Sequence, residues 1–227
     1  MSGLQACLFD LDGVIVDTAR YHFIAWRQIA DELGIVFTER DNERLKGVSR
    51  QRSLDILLEI GGLHPDDDTK AKLAERKNGL YLDYIRKLTP GELLPGAEAF
   101  VRQSRGAGLK TALATASRNS ALILDRLGIR ALFDAVVDGN KVTRTKPDPE
   151  VFLLCAQELG VEPRRCAVFE DSEAGIEAAH TAGMFAVGIG SPAILKRADI
   201  VVPGLGGLSL DEVILGFAPG ERRAGRR

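Results

Sequence analysis

Short apolar runs alternate with longer amphipathic stretches over most of this chain. Each run is short enough for a strand that is buried on both faces, and the runs cover residues 7–9, 110–114, 135–137, 166–169, 185–189 and 199–202. The stretches between them have helical periodicity, and a glycine directly follows four of them, at residues 97–107, 119–127, 149–159 and 173–182. Because strand–helix alternation produces parallel pairing, the sequence predicts a doubly wound, Rossmann-like parallel α/β sheet.

One segment interrupts this alternation. From about residue 17 to residue 92 the pattern is helical, and it is strongest at residues 21–33, 50–60 and 70–86. Pro-Gly turns at residues 90–91 and 95–96 close the segment. We predict an α/β core domain, residues 1–16 and 93–227, that carries an inserted α-helical cap domain, residues 17–92. Two neighbouring linkers would let the cap act as a hinged lid.

The charge of the chain is nearly balanced. Its 227 residues include 30 Lys and Arg against 32 Asp and Glu, a net charge of −2, which predicts no nucleic-acid partner and no anionic membrane partner. No apolar run approaches the roughly 18 residues of a membrane helix, and no secretory signal is visible. The three cysteines lack metal-binding spacing and are interpreted as buried hydrophobes in a reducing compartment. We therefore expect a soluble, cytoplasmic monomer.

The first predicted strand ends in two carboxylates. Asp10 and Asp12 lie two residues apart, so both side chains can face one site, and Gly13 lets the backbone turn sharply after them. A carboxylate placed in this way can act as a nucleophile, and a second one can carry protons to and from hydroxyl groups. The simpler interpretation is an Asp-rich turn. The position directly after an apolar strand favours the catalytic interpretation.

Two further strand ends carry groups that suit a phosphate. Residues 115–119, Thr-Ala-Ser-Arg-Asn, precede a helix whose backbone N–H groups can bind an anion, although Ser117 or Asn119 could equally be an ordinary N-cap. Lys146 precedes Pro147 and the next helix. Its ammonium group could balance the charge of a phosphoryl group, or it could be a solvated surface charge. Neither motif is decisive alone.

Two adjacent acids, Glu170 and Asp171, follow the fourth predicted strand. Acids directly after a buried strand are costly unless they are paired or bound to a metal. Their oxygen atoms would select a hard cation such as Mg²⁺. The alternative is that they are capping acids at the start of the next helix. The sequence therefore predicts a magnesium site close to the first strand's carboxylates.

These four strand ends, in this order, resemble the signature motifs of the haloacid-dehalogenase-like superfamily, and the helical insert matches the position of that superfamily's cap. The resemblance covers essentially the whole chain. It implies that Asp10 is the nucleophile, that Asp12 is the general acid/base, and that the phosphoryl group is held by Ser117 and Lys146. It also implies a set of Mg²⁺ ligands, namely Asp10, the backbone carbonyl of Asp12, Glu170 and Asp171.

Three stretches of the cap narrow the resemblance: residues 21–26 (Tyr-His-Phe-Ile-Ala-Trp), 46–50 (Lys-Gly-Val-Ser-Arg) and 76–78 (Arg-Lys-Asn). Each could be plain packing or surface charge, but with residues 9–15 they are very similar to the β-phosphoglucomutase family. The similarity implies that Arg50 binds the non-transferring phosphate and that Thr18 lies in the hinge. Further implied contacts are Thr115, Ser117 and Asn119 for phosphate, and His22, Trp26, Gly47, Val48, Ser49, Ser53, Lys77 and Ala116 for the sugar.

A mutase reaction is what this resemblance implies. Phosphorylated Asp10 would convert β-D-glucose 1-phosphate to glucose 6-phosphate through β-glucose 1,6-bisphosphate, with Mg²⁺ as cofactor and the bisphosphate as activator. The alternatives are a sugar-phosphate phosphatase with the same core chemistry, a mutase for another hexose or a disaccharide phosphate, and a catalytically silent binding protein on this fold. The intact set of acidic residues and Lys146 argues against the silent protein.

Overall fold

The computed structural model describes residues 3–45 and 48–217, and a six-stranded sheet lies at its centre. In chain order the strands are β1 (Ala6–Phe9), β2 (Lys110–Ala114), β3 (Ala135–Val137), β4 (Cys166–Glu170), β5 (Phe185–Ile189) and β6 (Ile200–Val202). Their spatial order is β3–β2–β1–β4–β5–β6, and every neighbouring pair is parallel. This confirms the predicted fold class.

The strand order reverses at the centre of the sheet, where β1 lies beside β4. In open α/β sheets, ligands bind in the crevice outside the carboxyl ends of the strands at such a switch point. Asp10 follows β1 directly, and Glu170 is the last residue of β4. The topology therefore brings the first and the fourth strand ends of the sequence together at the point where a site is expected.

The described part of the segment from residue 10 to residue 96, which follows β1, contains four α-helices, namely α1 (Ala19–Glu32), α2 (Glu39–Asn42), α3 (Arg50–Gly61) and α4 (Asp67–Ile85). The described residues of this segment contain no strand beyond an isolated bridge at Val16. The sheet is flanked by α5 (Ala97–Gly106), α6 (Ser120–Leu127), α7 (Glu150–Leu159), α8 (Glu173–Thr181) and α9 (Leu210–Phe217). None of the described helices is long and apolar enough to cross a membrane.

Local sequence explains where the helices of the insert begin and end. Asp66 precedes α4 and accepts a hydrogen bond from the backbone N–H of Thr69 at 2.8 Å. Ser49 precedes α3 and accepts one from the backbone N–H of Arg52 at 3.2 Å. Gly62 ends α3 in the left-handed region, with φ 63°. These caps set the start of the two helices that carry Arg50 and Lys77.

Alternate residues of β1 supply two apolar layers. Cys7 and Phe9 pack with α5, α6 and α9 on one face of the sheet, whereas Ala6 and Leu8 pack with α7 and α8 on the other. The ring of Phe9 stacks on that of Phe169 in β4, with centroids 4.6 Å apart. A third apolar cluster lies among α1, α3 and α4. The packing on both faces holds the ends of β1 and β4 at one edge of the sheet.

The helical insert joins the sheet through two chain segments that lie side by side. Val16 and Leu93 form an isolated antiparallel bridge, and the backbone N–H of Leu94 donates to the carbonyl of Ile15 at 3.0 Å. Two adjacent crossing points of this kind suit a hinge, because few backbone angles have to change. The bounds of a separate cap domain and the hinge itself remain predictions.

Candidate active site

The carboxylate of Asp10 and the ammonium group of Lys146 form a buried ion pair at the end of β1. Lys146 Nζ lies 2.6 Å from Asp10 Oδ1, and it also donates to Glu170 Oε1 and to the carbonyl of Ala114, the latter at 3.3 Å. Lys146 is only 2% exposed. The solvated-surface alternative for this lysine is therefore wrong, because its charge is used inside the protein.

The pKa values of this pair follow from burial and mutual attraction. Burial raises the pKa of Asp10 to about 6, although the charge of Lys146 acts in the opposite direction. Burial alone would lower the pKa of Lys146, but the charges of Asp10 and Glu170 outweigh it and raise the pKa above its ordinary value. Lys146 therefore stays charged beside the carboxylate at neutral pH.

Asp12 lies beside Asp10 and is held by the linker to the insert. The hydroxyl of Thr18 donates to Asp12 Oδ1. Burial, followed by the negative charge of Asp10, raises the pKa of Asp12 to about 8. A carboxyl group with a pKa near the working pH can both accept and release a proton, which is what a general acid/base requires.

Glu170 is turned away from the cavity that Asp10, Asp12 and Asp171 line. Its carboxylate is fully buried, where it receives hydrogen bonds from Ser172 N at 2.9 Å, from Ser172 Oγ at 2.8 Å and from Lys146. Its oxygens are therefore engaged by the protein, and its predicted role as a direct metal ligand remains a prediction. Asp171 packs against Gly13, where any Cβ would overlap its carboxylate.

The oxygen atoms at this edge of the sheet fit Mg²⁺. Within residues 3–45 and 48–217, no three His, Cys, Asp or Glu side chains are grouped closely enough to hold a metal ion alone. Mg²⁺ commonly uses only one or two carboxylates and completes its shell with water and substrate phosphate. Asp10 and Asp171 are two such carboxylates on one cavity, and the backbone carbonyl of Asp12 is the additional oxygen that the resemblance implies.

The loop after β2 forms the second wall of the cavity, which residues 115–119 line throughout. Its turn is held by its own hydroxyls, since Thr115 Oγ1 accepts from Ser117 N at 3.1 Å and Ser117 Oγ accepts from Asn119 N at 3.2 Å. Asn119 directly precedes α6, yet its side chain makes no capping bond. The amide group of Asn119 instead donates to Asn78 Oδ1 on α4 at 3.0 Å, which links the sheet domain to the insert.

The insert contributes a pair of nitrogen bases, the buried Lys77 and the half-buried His22. Lys77 Nζ lies 2.6 Å from His22 Nδ1 and 4.9 Å from the centre of the Trp26 ring. Burial, followed by the charge of Arg50, lowers the pKa of Lys77 to about 7. Burial, followed by the charge of Lys77, also holds the pKa of His22 well below its ordinary value. His22 is therefore neutral and can accept a hydrogen bond from Lys77.

Two guanidinium groups, one from the insert and one from the sheet domain, line the cavity. Arg50 on α3 and Arg118 in the loop after β2 both line it. Burial and the nearby charge of Arg118 lower the pKa of Arg50. Like charges that are held close together favour an anion between them, so this end of the cavity suits a phosphate group.

The cavity has a volume of about 330 Å³ and lies between the strand ends and the insert. It brings together most of the predicted residues: Asp10, Asp12, His22, Trp26, Val48, Ser49, Arg50, Ser53, Lys77, Thr115, Ala116, Ser117, Asn119 and Asp171. Thr18 and Lys146 lie behind it and contact Asp12 and Asp10. Gly47 lies outside the described residues.

The cavity also has lining residues that the sequence analysis missed, namely Ala19, Asn42, Leu45, Gln51, Asn78, Gly139, Val142, Thr143 and Thr145. Asn78 could have been identified from the sequence, because it directly follows Lys77 in a stretch that carried the resemblance. The residues from 139 to 145 belong to an irregular loop before Lys146. No periodic signal marks such a loop, so sequence reasoning had little to detect there.

The fold and the site together define the class of protein. A buried aspartate directly follows the first strand of a doubly wound sheet, a buried lysine pairs with it, and the helical insert lines the same cavity. The family model described as haloacid dehalogenase-like hydrolase matches residues 4–183. The chain belongs to this family, and its β-phosphoglucomutase relatives are similar to it over nearly their whole length.

One of these relatives is the β-phosphoglucomutase of Bacillus subtilis (strain 168), which is 46% identical over 210 residues, covering 92% of this chain and 93% of the relative. The crystal structure of β-phosphoglucomutase from Clostridium difficile superposes with a TM-score of 0.91 at 40% identity, covering 94% of this chain and 97% of that one. A phosphorylated carbohydrates phosphatase of Thermotoga maritima is 36% identical, covering 80% of this chain and 82% of the relative.

Proposed function

We propose that this chain is a β-phosphoglucomutase that interconverts β-D-glucose 1-phosphate and glucose 6-phosphate through an aspartyl-phosphate and β-glucose 1,6-bisphosphate. The observation that carries the proposal is the placement of Asp10 and Asp12 on one cavity that residues of the sheet and of the insert line together. A phosphoryl group on Asp10 must pass to a sugar hydroxyl rather than to water, and closure of the insert over this cavity would supply such selectivity.

Asp10 is the proposed nucleophile. Lys146 binds Oδ1, so Oδ2 is the atom that attacks phosphorus. The bond from phosphorus to the sugar oxygen breaks, and Asp12 gives that oxygen its proton. In the reverse direction Asp12 accepts the proton of a sugar hydroxyl, the sugar oxygen attacks the phosphorus on Asp10, and the bond to Oδ2 breaks. Asp10, Asp171 and the backbone carbonyl of Asp12 would hold Mg²⁺. When bound, the ion would offset the charge of the transferring phosphoryl group.

The opposite end of the cavity holds the second phosphate. Arg50 and Arg118 supply the positive charge there, and Asn119 supplies a hydrogen-bond donor, while Ser117 and Lys146 hold the transferring phosphoryl group. His22, Lys77 and Trp26 line the same cavity and are the proposed contacts of the sugar ring, because Lys77 interacts electrostatically with both Arg50 and Asp12. Because the bisphosphate has a phosphate at each end, it can occupy the cavity in either direction and present either phosphorus to Asp10.

The same proposal places the enzyme in the cytoplasm as a monomer, and its three buried free thiols suit a reducing compartment.

A sugar-phosphate phosphatase is the second candidate. The specific observation in its favour is the similarity to phosphatases, which include the Thermotoga maritima relative and an Escherichia coli fructose-1-phosphate phosphatase that is 34% identical over 183 residues. The core chemistry is shared, and the difference is whether water reaches phosphorylated Asp10. The relative with the higher identity over the longer alignment is a mutase, so the mutase is the first choice.

Product analysis separates the two candidates. Purified protein is incubated with Mg²⁺, β-glucose 1-phosphate and a trace of glucose 1,6-bisphosphate, while glucose 6-phosphate and free phosphate are followed. We expect glucose 6-phosphate in large excess over phosphate, and no reaction with the α-anomer. A product that is mainly free phosphate would replace the mutase with the phosphatase.

The role of Arg50 is tested by Arg50→Ala. Charge-assisted hydrogen bonds contribute about 1.5–3 kcal/mol each, so mutase turnover should fall about 10- to 150-fold. Slow hydrolysis of a small aryl phosphate, which has no second phosphate, should change far less. Arg52→Ala is the matched control, because Arg52 is on the same helix and pairs with Glu59 at the surface, at 2.9 Å. Equal losses in both assays for Arg50→Ala would refute the assignment.

A further inference from the structure

The loop after β3 makes contacts with the loop after β2 that the mechanism above does not use. Arg118 lines the cavity, yet its side chain is exposed. Its Nε donates to the carbonyl of Gly139 at 3.1 Å. The side-chain amide of Asn140 donates to the carbonyl of Arg118, also at 3.1 Å. Two consecutive residues of a separate loop therefore hold Arg118 at two points, its guanidinium group and its backbone.

The two loops lie too close together for a side chain at position 139. Gly139 is buried, and its backbone N–H donates to the carbonyl of Ser117 at 3.1 Å. A Cβ built on Gly139 would lie 2.3 Å from the carbonyl oxygen of Ala116, where the two atoms would overlap. Glycine at this position thus allows the two backbones to approach, which brings the Gly139 carbonyl within reach of the Arg118 guanidinium group.

Asn140 is itself oriented by the sheet domain. Asp138 directly follows β3, and its carboxylate accepts from the backbone N–H of Asn140 at 2.9 Å and from the Asn140 amide at 3.2 Å. The same carboxylate accepts from the hydroxyl of Ser120 at 2.6 Å. Ser120 is fully buried at the start of α6. The Asn140 amide therefore has a fixed direction, because one of its bonds goes to an anchored carboxylate and the other to the carbonyl of Arg118.

An arginine that is held in advance binds an anion better than a mobile one. A long, exposed side chain loses rotamer freedom when it binds a ligand, and a side chain that is already held avoids part of that loss. The bond to Gly139 uses only Nε of Arg118. The terminal nitrogens Nη1 and Nη2 can therefore be offered to a phosphate in the fork geometry that suits bidentate binding.

We propose that Asn140 is a positioning residue for the second phosphate, which holds Arg118 in place against the cavity. The inference rests on the proposed binding of that phosphate by Arg50 and Arg118. Gly139 supplies the acceptor for Nε of Arg118, and Asn140 fixes the backbone from which the side chain extends. The affinity for phosphate at this end of the cavity thus depends on a residue that does not itself line the cavity.

The test is the effect of Asn140→Ala on the KM for β-glucose 1-phosphate. When Asp10 carries the phosphoryl group, the phosphate of the substrate has to bind at the other end of the cavity. We expect the KM to rise about 3- to 10-fold, the size expected for one lost neutral hydrogen bond, with kcat unchanged within about twofold. Hydrolysis of a small aryl phosphate, which has no second phosphate, should also change less than about twofold. A general disturbance of the loop would reach Lys146 and slow both reactions.

Lys141→Ala is the matched control, since Lys141 is the next residue of the same loop and pairs with Glu158 at the surface, at 2.7 Å. It should leave the KM unchanged within about twofold. Arg118→Ala supplies the second test. If Asn140 acts through Arg118, adding Asn140→Ala to Arg118→Ala should raise the KM by less than about twofold further.

Three results would overturn the proposal: a wild-type KM for Asn140→Ala, an equal loss of aryl phosphate hydrolysis, or a full Asn140→Ala effect in the protein that lacks the Arg118 guanidinium group. Failure of the proposed function gives a different result, because the wild-type enzyme would then release free phosphate instead of glucose 6-phosphate. In that case the same variants are compared by calorimetric binding of glucose 1,6-bisphosphate with Mg²⁺ withheld. The bisphosphate fills both ends of the cavity whichever reaction is catalysed, so Asn140→Ala should still weaken its binding about 3- to 10-fold, and an unchanged affinity would overturn the inference.

Discussion

Gly175→Ala should destabilise the protein although alanine is the better helix former. Gly175 lies in the first turn of α8, directly against the carboxyl group of Glu170. A Cβ at Gly175 would lie under 3.0 Å from three atoms of that group, whereas ordinary contacts begin at 3.4 Å. Glu170 cannot yield freely, because Ser172 N at 2.9 Å, Ser172 Oγ at 2.8 Å and Lys146 all hold its oxygens.

The magnitude follows from these bonds. Moving Glu170 aside leaves the buried charge of Lys146 with one partner fewer, and an incomplete buried ion pair costs about 3–5 kcal/mol. The higher helix propensity of alanine stabilises the folded protein by about 1 kcal/mol relative to glycine. The free energy of unfolding should therefore fall by about 2–4 kcal/mol, which for a chain of this size is a drop in Tm of about 4–16 °C.

The measurement is urea unfolding of wild-type and variant protein, followed by circular dichroism. Gly79→Ala is the matched control, because Gly79 is exposed in the middle of α4 and no atom lies within 4 Å of a Cβ built there. That variant should gain up to about 1 kcal/mol. The two identical substitutions are thus expected to have opposite signs. A Gly175→Ala protein as stable as wild type would refute the steric argument.

Two further predictions concern the insert. Lys77, with a pKa of about 7, is mostly neutral at pH 8, and a phosphate dianion bound nearby would raise that pKa. Binding of glucose 6-phosphate should therefore take up protons at pH 8, as measured by calorimetry in two buffers of different ionisation heat. Lys77→Met should reduce this uptake to the part that Asp12, with its pKa of about 8, contributes; equal uptake by both proteins would contradict the role of Lys77. Asn78→Ala removes the bond from Asn119 that joins the insert to the loop after β2. A loss of about 0.5–1.5 kcal/mol from the closed form should raise the ratio of free phosphate to glucose 6-phosphate about 2- to 10-fold, and an unchanged ratio would show that this bond plays no part in closure.

Much of the architecture was accessible from the order of residues along the chain. Hydrophobic periodicity is a local property, because a buried strand needs consecutive apolar residues and a helix needs an apolar stripe. The parallel sheet and the helical stretch between its first two strands followed from it. Asp10 and Asp12 were candidates because they follow an apolar strand and parallel strands end at one edge, where polar residues of separate strands converge. The role of Lys146 was implied only by the family resemblance.

The direction of each side chain depended on packing between distant segments. Glu170 is the last residue of β4 and Asp10 directly follows β1, yet Lys146 and Ser172 bind the Glu170 carboxylate away from the cavity. Asn119 has the sequence of an N-cap, but its amide bonds Asn78 on the insert. A hydrogen bond from the hydroxyl of Tyr81 to that of Thr18 joins residues 63 positions apart. Such contacts depend on how the insert sits on the sheet and on which rotamers the neighbours leave open, and no local pattern encodes either.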